Sequence, residues 1–214
     1  MINTRLQQTL LSENLLPIEQ AGFQPGRSTE EQLAVLSSTI YEAFSRRHHT
    51  LAVFFDLEKA FDTIWKSQIT QQLVDWNIKG RILIFIENFL TDRTYAVRLG
   101  SVISSSCHLS NGVPQGSVLS PILFNIGFSS ICHSIPLPLK SVLFADDLVV
   151  SLSCTQLRKG EQQLQEAVDT FATWTSTRGL RLSATKSTAM HFCRLRSCHH
   201  TLSITLHDSR QSNI

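Results

Sequence analysis

The sequence has no long apolar run. A membrane-spanning helix needs about 20 predominantly apolar residues. The nearest stretch, ILIFIENFL at residues 82–90, is short and interrupted by Glu87 and Asn88. No membrane partner is expected. There is also little excess charge of either sign: charged residues are 17% of the chain, and the formal net charge is +2. That excludes a strongly basic nucleic-acid coat and leaves any phosphate contact to local clusters. A disulfide scaffold is not indicated. The five cysteines, at 107, 132, 154, 193 and 198, are odd in number and scattered, and the opening MINTRLQQTLLSENLL is amphipathic rather than leader-like. A reduced, intracellular chain is the expectation. Repeats and low-complexity linkers are missing, which excludes solenoids and disordered arrays. What is present is 214 residues of 42% hydrophobic composition, enough for one substantial core or one large domain with an appendage.

Periodicity then divides the chain into mixed elements. Ser28 followed by Glu31 is a capping-box pattern, and Leu33, Leu36, Ile40 and Phe44 recur at helical spacing behind it. The helix end at SRRHH (45–49) reads first as dipole capping and second as template contact. LAVFFD (51–56) predicts a buried strand ending at Asp56. Residues 66–77 and 81–90 read as helices, TYAVRLGSVISSSCHL (94–109) as a hairpin turning near Gly100, and residues 117–135 as a mostly apolar helix. SVLFADDLVVSL (141–152) predicts two strands joined at a charged tip. Residues 156–177 predict an amphipathic helix with Leu164, Val168, Phe171 and Trp174 on one side, and GLRLSATKSTAMHFC (179–193) returns to strand. The sum is an α+β fold, an antiparallel sheet with helices packed on one face.

Asp146 and Asp147 stand side by side in an apolar run, where unpaired carboxylates are rare. If the end of the 51–56 strand neighbours the tip of the 141–152 hairpin, Asp56 joins them. Three like charges so close raise at least one pKa unless a cation neutralises them. An all-oxygen set suits Mg²⁺ or Mn²⁺ rather than zinc. Two such ions roughly 3.5–4 Å apart serve nucleotidyl transfer. Taken singly, each motif has an ordinary alternative: the aspartate pair as a turn, Asp56 as a helix cap, PQG as a tight turn. Pro114 stiffens that turn, and Gly116 lets a backbone approach a ligand. Arg178, Arg181, Lys186, Arg194 and Arg196 form a basic stripe over 178–200 without Asp or Glu, suited to a phosphate backbone or to solvent. Arg27, just before a helix start, is an anion-site candidate or a surface arginine. Cys193, Cys198, His199 and His200, with Cys154 a possible neighbour, match no standard zinc spacing.

Five segments in order resemble the reverse transcriptases of non-LTR (LINE-like) retrotransposons. They are QAGFQPGRSTEEQL (20–33), FFDLEKAFDTI (54–64), NGVPQGSVLSPILFNI (111–126), FADD (144–147) and GLRLSATKS (179–187), and the match covers roughly residues 3–192. The resemblance implies a polymerase palm with partial fingers and no thumb. Its divisions are 1–50 as partial fingers, 51–193 as palm with a fingers-derived 81–110, and 194–214 as the start of a C-terminal extension. It implies Asp56, Asp146 and Asp147 as metal ligands and catalytic carboxylates, with the Leu57 carbonyl as a further ligand. Lys186 is implied as the catalytic lysine that protonates pyrophosphate. Phe61 is implied as the sugar-sensing residue beside the carboxylates, though plain core is its other reading. Gln115 and Gly116 are implied as nucleotide contacts. Arg27, Arg178 and Arg181 are carried as nucleic-acid contacts. The implied partners are an RNA template, a DNA primer, dNTPs, two Mg²⁺ ions (Mn²⁺ as substitute) and the remainder of a polyprotein with endonuclease and thumb. The implied workplace is nuclear, after cytoplasmic synthesis. Three positions depart from the family pattern: Gln24 where a basic residue is frequent, Ser183 where Asn is usual, and GFSSICHSIP (127–136) in place of an aromatic and an Asn-Asp pair. A catalytically silent nucleic-acid-binding remnant is the competing reading.

Overall fold

The computed structural model describes residues 1–194 and 200–206, and the backbone of 212–213. In chain order the larger elements begin with α1 (Ile2–Ser12), α2 (Thr29–Ser45), β1 (His49–Phe55), α3 (Ala60–Thr63), α4 (Lys66–Asp75) and α5 (Arg81–Leu90). Two short ladders follow, β2 (Thr94–Tyr95) with β5 (Cys107–His108), and β3 (Arg98–Leu99) with β4 (Val102–Ile103). Gly100 turns the inner pair at φ +61°. Then come α6 (Ser120–Phe128), continued by a 3₁₀ turn (Ser129–Ser134), β6 (Lys140–Phe144), β7 (Asp147–Cys154), α7 (Leu157–Ser176) and β8 (Thr188–Phe192).

The main sheet has the order β6-β7-β1-β8, antiparallel throughout. β1 is central because its sequence, HTLAVFF, is rich in branched and aromatic residues that tolerate burial on both faces. Leu51, Val53 and Phe55 point to one face, and Phe171 of α7 meets Phe55 there edge-on at 4.6 Å. Leu164, Val168, Phe171 and Trp174 are buried together, as the period of α7 requires. Each fully buried side chain of that kind contributes roughly 1.5–3 kcal/mol. An aromatic series continues through Phe128, Phe124 and Phe61, with centroid separations of 5.1 Å (Trp174–Phe128), 5.4 Å and 4.2 Å. It ties the α7 layer to the segment after Asp56. Leu6 and Leu10 of α1 belong to the same core, so the first 50 residues share it with the sheet.

Two expectations need correction. Helices on one face describes α7, but α2 packs across the other, over Phe54, Val142 and Phe144, whose half-buried apolar surface needs cover. The buried stripe of α2 is Gln32, Leu36, Thr39 and Ala43, while Leu33 is 62% exposed. The helix lies rotated by one residue, because its contact is with the β6–β7–β1 surface rather than with the deep core. His49 is likewise not part of the helix end; it opens β1. No described helix is long and apolar enough to cross a membrane.

Candidate active site

Asp56 follows directly on β1, and Asp147 opens β7. Phe55 pairs with Leu148, so one step further along the antiparallel register Asp56 faces Asp147, with Cα atoms roughly 5 Å apart. Phe144 pairs with Asp147, which leaves Ala145 and Asp146 as a two-residue turn between β6 and β7. The sheet thus brings Asp56, Asp146 and Asp147 to one end.

That turn is strained and clamped. Ala145 sits at φ +57°, a left-handed position that costs a non-glycine residue about 1–2 kcal/mol. Gln20, 1% exposed, holds it there. Its Oε1 accepts from the Ala145 N–H at 2.9 Å, and its Nε2 donates to the Ala145 carbonyl at 3.0 Å. The same Oε1 accepts from the Gly22 N–H at 2.8 Å. A Cβ on Gly22 would lie 2.2 Å from the Ala145 nitrogen, so only glycine fits. Asn125 of α6 closes the bracket, donating to the Gly22 carbonyl at 2.7 Å. Residues 19–21 also pair with the exposed edge of β6 through Leu143, which protects that edge. QAGF therefore does work that its motif did not announce: it sets the geometry of the turn carrying Asp146.

Asp56 is anchored by its main chain. Its N–H donates to Ser187 Oγ at 3.1 Å, and its carbonyl accepts from the Ser183 N–H at 2.8 Å. Ser183 is 3% exposed, and at the usual asparagine position it serves this bond through its backbone. Leu57 bridges Leu182 in antiparallel fashion, with Glu58 N–H donating to the Arg181 carbonyl. The bonds of this bridge belong to residues 56, 58, 181 and 183, so the Leu57 carbonyl is left out of it. Lys186 reaches in, its Nζ 3.4 Å from Asp56 Oδ1.

The electrostatics are those of a cation site. Burial pushes Asp146 above the ordinary carboxylate range; a backbone hydrogen bond opposes this, and the Asp56 charge adds to it. Asp147 is raised by burial, then by Asp146 and Asp56. Asp56 Oδ1 is buried and accepts no hydrogen bond from the described residues, although the Lys186 ammonium stands 3.4 Å from it. A buried carboxylate oxygen that an exposed lysine approaches without hydrogen-bonding, beside two carboxylates that resist ionisation, fits a hard divalent ion bound through oxygen.

The segment before α6 docks backbone to backbone on α3 and the residue after it. Val113 N–H donates to the Phe61 carbonyl and Gly112 N–H to the Ile64 carbonyl, both at 2.8 Å. A Cβ on Gly112 would lie 2.5 Å from the Asp62 carbonyl oxygen. The docking puts Phe61, Gln115 and Gly116 around one cavity of ≈ 450 Å³, with Val118 and Pro121. Phe61 stacks on Phe124 and takes Phe23 edge-on at 6.1 Å, so the ring serves the core and lines the cavity at once. Gln115 donates through Nε2 to Asp62 Oδ1 at 2.7 Å, a partner that spacing alone did not reveal. Gly116 has φ +84° and open space where a Cβ would point, leaving its backbone accessible.

The family model for reverse transcriptase (RNA-dependent DNA polymerase) matches residues 1–212. The chain belongs to the reverse transcriptase family. The probable RNA-directed DNA polymerase from transposon BS of Drosophila melanogaster is 31% identical over 180 residues, 81% of this chain and 20% of that protein. The RNA-directed DNA polymerase from mobile element jockey of the same fly is 27% identical over 86% of this chain and 21% of its own length. The reverse transcriptase chain described here spans about a fifth of these relatives. Apo telomerase from Candida tropicalis, truncated from its C-terminal domain, superposes with a TM-score of 0.68 at 12% identity, over 92% of this chain and 41% of that one. That likeness establishes a palm-like polymerase fold for the reverse transcriptase domain.

The basic residues divide. Arg181 and Lys186 line a groove of ≈ 890 Å³ with Lys59, Glu58, Asp62, Trp65 and Thr185. Lys59 was not singled out in the sequence. Arg178 is instead drawn inward, with its guanidinium 4.4 Å from the Trp174 ring and a bond to Ser130 Oγ at 2.9 Å. Arg27 is held by Glu31 at 2.8 Å and by the Ile18 carbonyl at 2.8 Å, beside Gln24 in a separate hollow. Arg194 is exposed, while Arg196 lies outside the described residues.

Proposed function

We propose that this domain adds nucleotides from dNTPs to a DNA 3′-hydroxyl along an RNA template, using two Mg²⁺ ions, with Mn²⁺ as a substitute. The observation that carries the proposal is the convergence of Asp56, Asp146 and Asp147 at one sheet end, with a buried Asp56 oxygen that accepts no hydrogen bond. These carboxylates and the Leu57 carbonyl would hold the ions, which would supply a lowered pKa for the attacking hydroxyl and charge compensation for the leaving oxygen. The remaining tasks fall to side chains and backbone. Gln20 keeps the Asp146 turn rigid, so the carboxylates stay preorganised. The Phe61 ring excludes a 2′-hydroxyl from the cavity it shares with Gln115 and Gly116, whose amide groups face the incoming nucleotide. Lys186, within ion-pair reach of Asp56, supplies the proton taken up by departing pyrophosphate. Lys59 and Arg181 follow the phosphate backbone along the groove.

The test is primer extension on poly(rA)/oligo(dT) by a polypeptide extended to the length of the relatives. Extension should require Mg²⁺ or Mn²⁺ and fall at least about 1,000-fold in Asp146→Asn Asp147→Asn, equivalent to the several kcal/mol that metal-stabilised charge supplies. Equal extension by that variant defeats the proposal. No extension by the unmutated polypeptide supports the silent-remnant reading.

A further inference from the structure

The end of β1 remote from the carboxylates carries a second group of chemistry-bearing side chains. β1 begins at His49, which pairs across the ladder with Cys154 of β7. On the other side, Leu51 pairs with His191 of β8, so the same register brings Cys193 opposite His49. Facing residues on antiparallel strands share a face, as do residues two apart on one strand. His49, His191 and Cys193 therefore gather on one face of the sheet, the face that α7 covers.

The distances agree with the register. Ligand atoms of His49, His191 and Cys193 lie within 4.8 Å of one another, all half-buried. Nδ1 of His49 is 3.0 Å from Nε2 of His191. A tetrahedral ion with bonds of about 2.0–2.1 Å holds two nitrogens roughly 3.3 Å apart. The main chain of His200 hydrogen-bonds the His191 ring, the kind of outer contact that orients ligating histidines. The His200 ring stands edge-on to His191 at 5.9 Å, with its Nε2 3.2 Å from Glu161 Oε1.

We infer that His49, His191 and Cys193 form a binding site for one zinc-type ion, at the opposite end of the sheet from the carboxylates. Two imidazoles and a thiolate are soft and borderline donors that suit Zn²⁺ and disfavour Mg²⁺. The fourth position falls to water. The ion would clip the end of β8, an edge strand, to the start of central β1. β8 follows the 183–187 turn that anchors Asp56 and presents Lys186, so the clip would steady the catalytic end from behind. A plain histidine–histidine hydrogen bond is the rival account. It needs neither the cysteine nor a metal.

Co²⁺ and Zn²⁺ titration of the reduced, metal-free 214-residue chain decides between them. The expected result is one equivalent of Co²⁺ with tetrahedral d–d bands and a thiolate charge-transfer band, displaced by Zn²⁺, and a raised melting temperature. Cys193→Ser and His191→Gln should each weaken binding by about 100-fold or more, since even an outer contact costs 10–100-fold. Asp146→Asn Asp147→Asn should keep it. Maleimide labelling of the wild-type chain, mapped by mass spectrometry, reads the cysteine without any variant: Zn²⁺ should protect Cys193. No charge-transfer band, binding that persists in both variants, or labelling of Cys193 unchanged by Zn²⁺ would each overturn the site.

Discussion

At the scale of residues, Asp146 and Asp147 resist ionisation in the folded chain. Burial gives folded Asp146 and Asp147 a higher proton affinity than the unfolded chain. The native state then binds more protons between the unfolded carboxylate value, about 3.9, and the raised folded values. Metal-free stability from this pair is therefore greatest below that window and is lost as pH rises through it. At neutral pH, Asp146→Asn Asp147→Asn should raise the melting temperature of the metal-free chain by a few degrees, with Asp147 giving the smaller share because it is exposed and screened. Mg²⁺ should stabilise the unmutated chain and leave the variant where it is. Calorimetry with and without Mg²⁺ between pH 4 and pH 8 would read both effects. A second expectation concerns the clamp. Gln20→Ala removes three hydrogen bonds and leaves buried N–H and C=O groups of the turn unmatched. The cost should be about 2–4 kcal/mol, measured by urea unfolding. Ala145→Gly, which relieves the positive φ, should cost nothing or gain up to ~1 kcal/mol.

At the scale of elements, what the sequence disclosed depended on how local the signal was. Asp56 and the FADD pair were legible because a strand end and a hairpin tip are short-range features, and one step of register then unites them. α7 was legible because Leu164, Val168, Phe171 and Trp174 repeat at helical spacing within 11 positions. α2 misled because it covers a sheet surface instead of the deep core, so an amide and a hydroxyl occupy its buried stripe while Leu33 faces out. The role of Gln20 was not legible at all, since its partner Ala145 is 125 residues away. His49 hid in the same manner: it reads as the end of a helix, and only strand pairing shows what stands beside it. The segment around Phe61 can be tested as an element. Phe61→Ala should lower dNTP-over-rNTP selectivity in the extended polypeptide and also destabilise it by about 3–5 kcal/mol, since the ring packs on Phe124. Phe61→Leu, which keeps most of the volume, should hold the stability and still relax the selectivity. Steady-state incorporation of matched dNTP and rNTP would separate the two roles, and unchanged selectivity in both variants would leave Phe61 as core alone.

At the scale of the whole molecule, the 214 residues bring three carboxylates to one sheet end and carry little to grip a nucleic acid. The groove beside Lys186 is lined by Lys59 and Arg181 but also by Glu58 and Asp62, and the chain's formal net charge is only +2. Arg178 and Arg27 are engaged within the protein. Two or three phosphates are then the most that this surface neutralises. Single-stranded nucleic acid should bind weakly, with a log–log salt slope of about −2. Arg181→Ala should flatten that slope by close to one phosphate's contribution. Polymerisation asks for more than binding. Holding a primer end and a triphosphate in near-attack geometry accounts for roughly 7–11 kcal/mol of such a barrier, and the relatives are about four times as long as this chain. Assayed alone on poly(rA)/oligo(dT) with Mg²⁺ or Mn²⁺, residues 1–214 should therefore show little or no processive extension, although the carboxylates are in place. Robust extension by the unmutated chain, abolished in Asp146→Asn Asp147→Asn, would mean that the palm positions its substrates far better than its sparse charge implies.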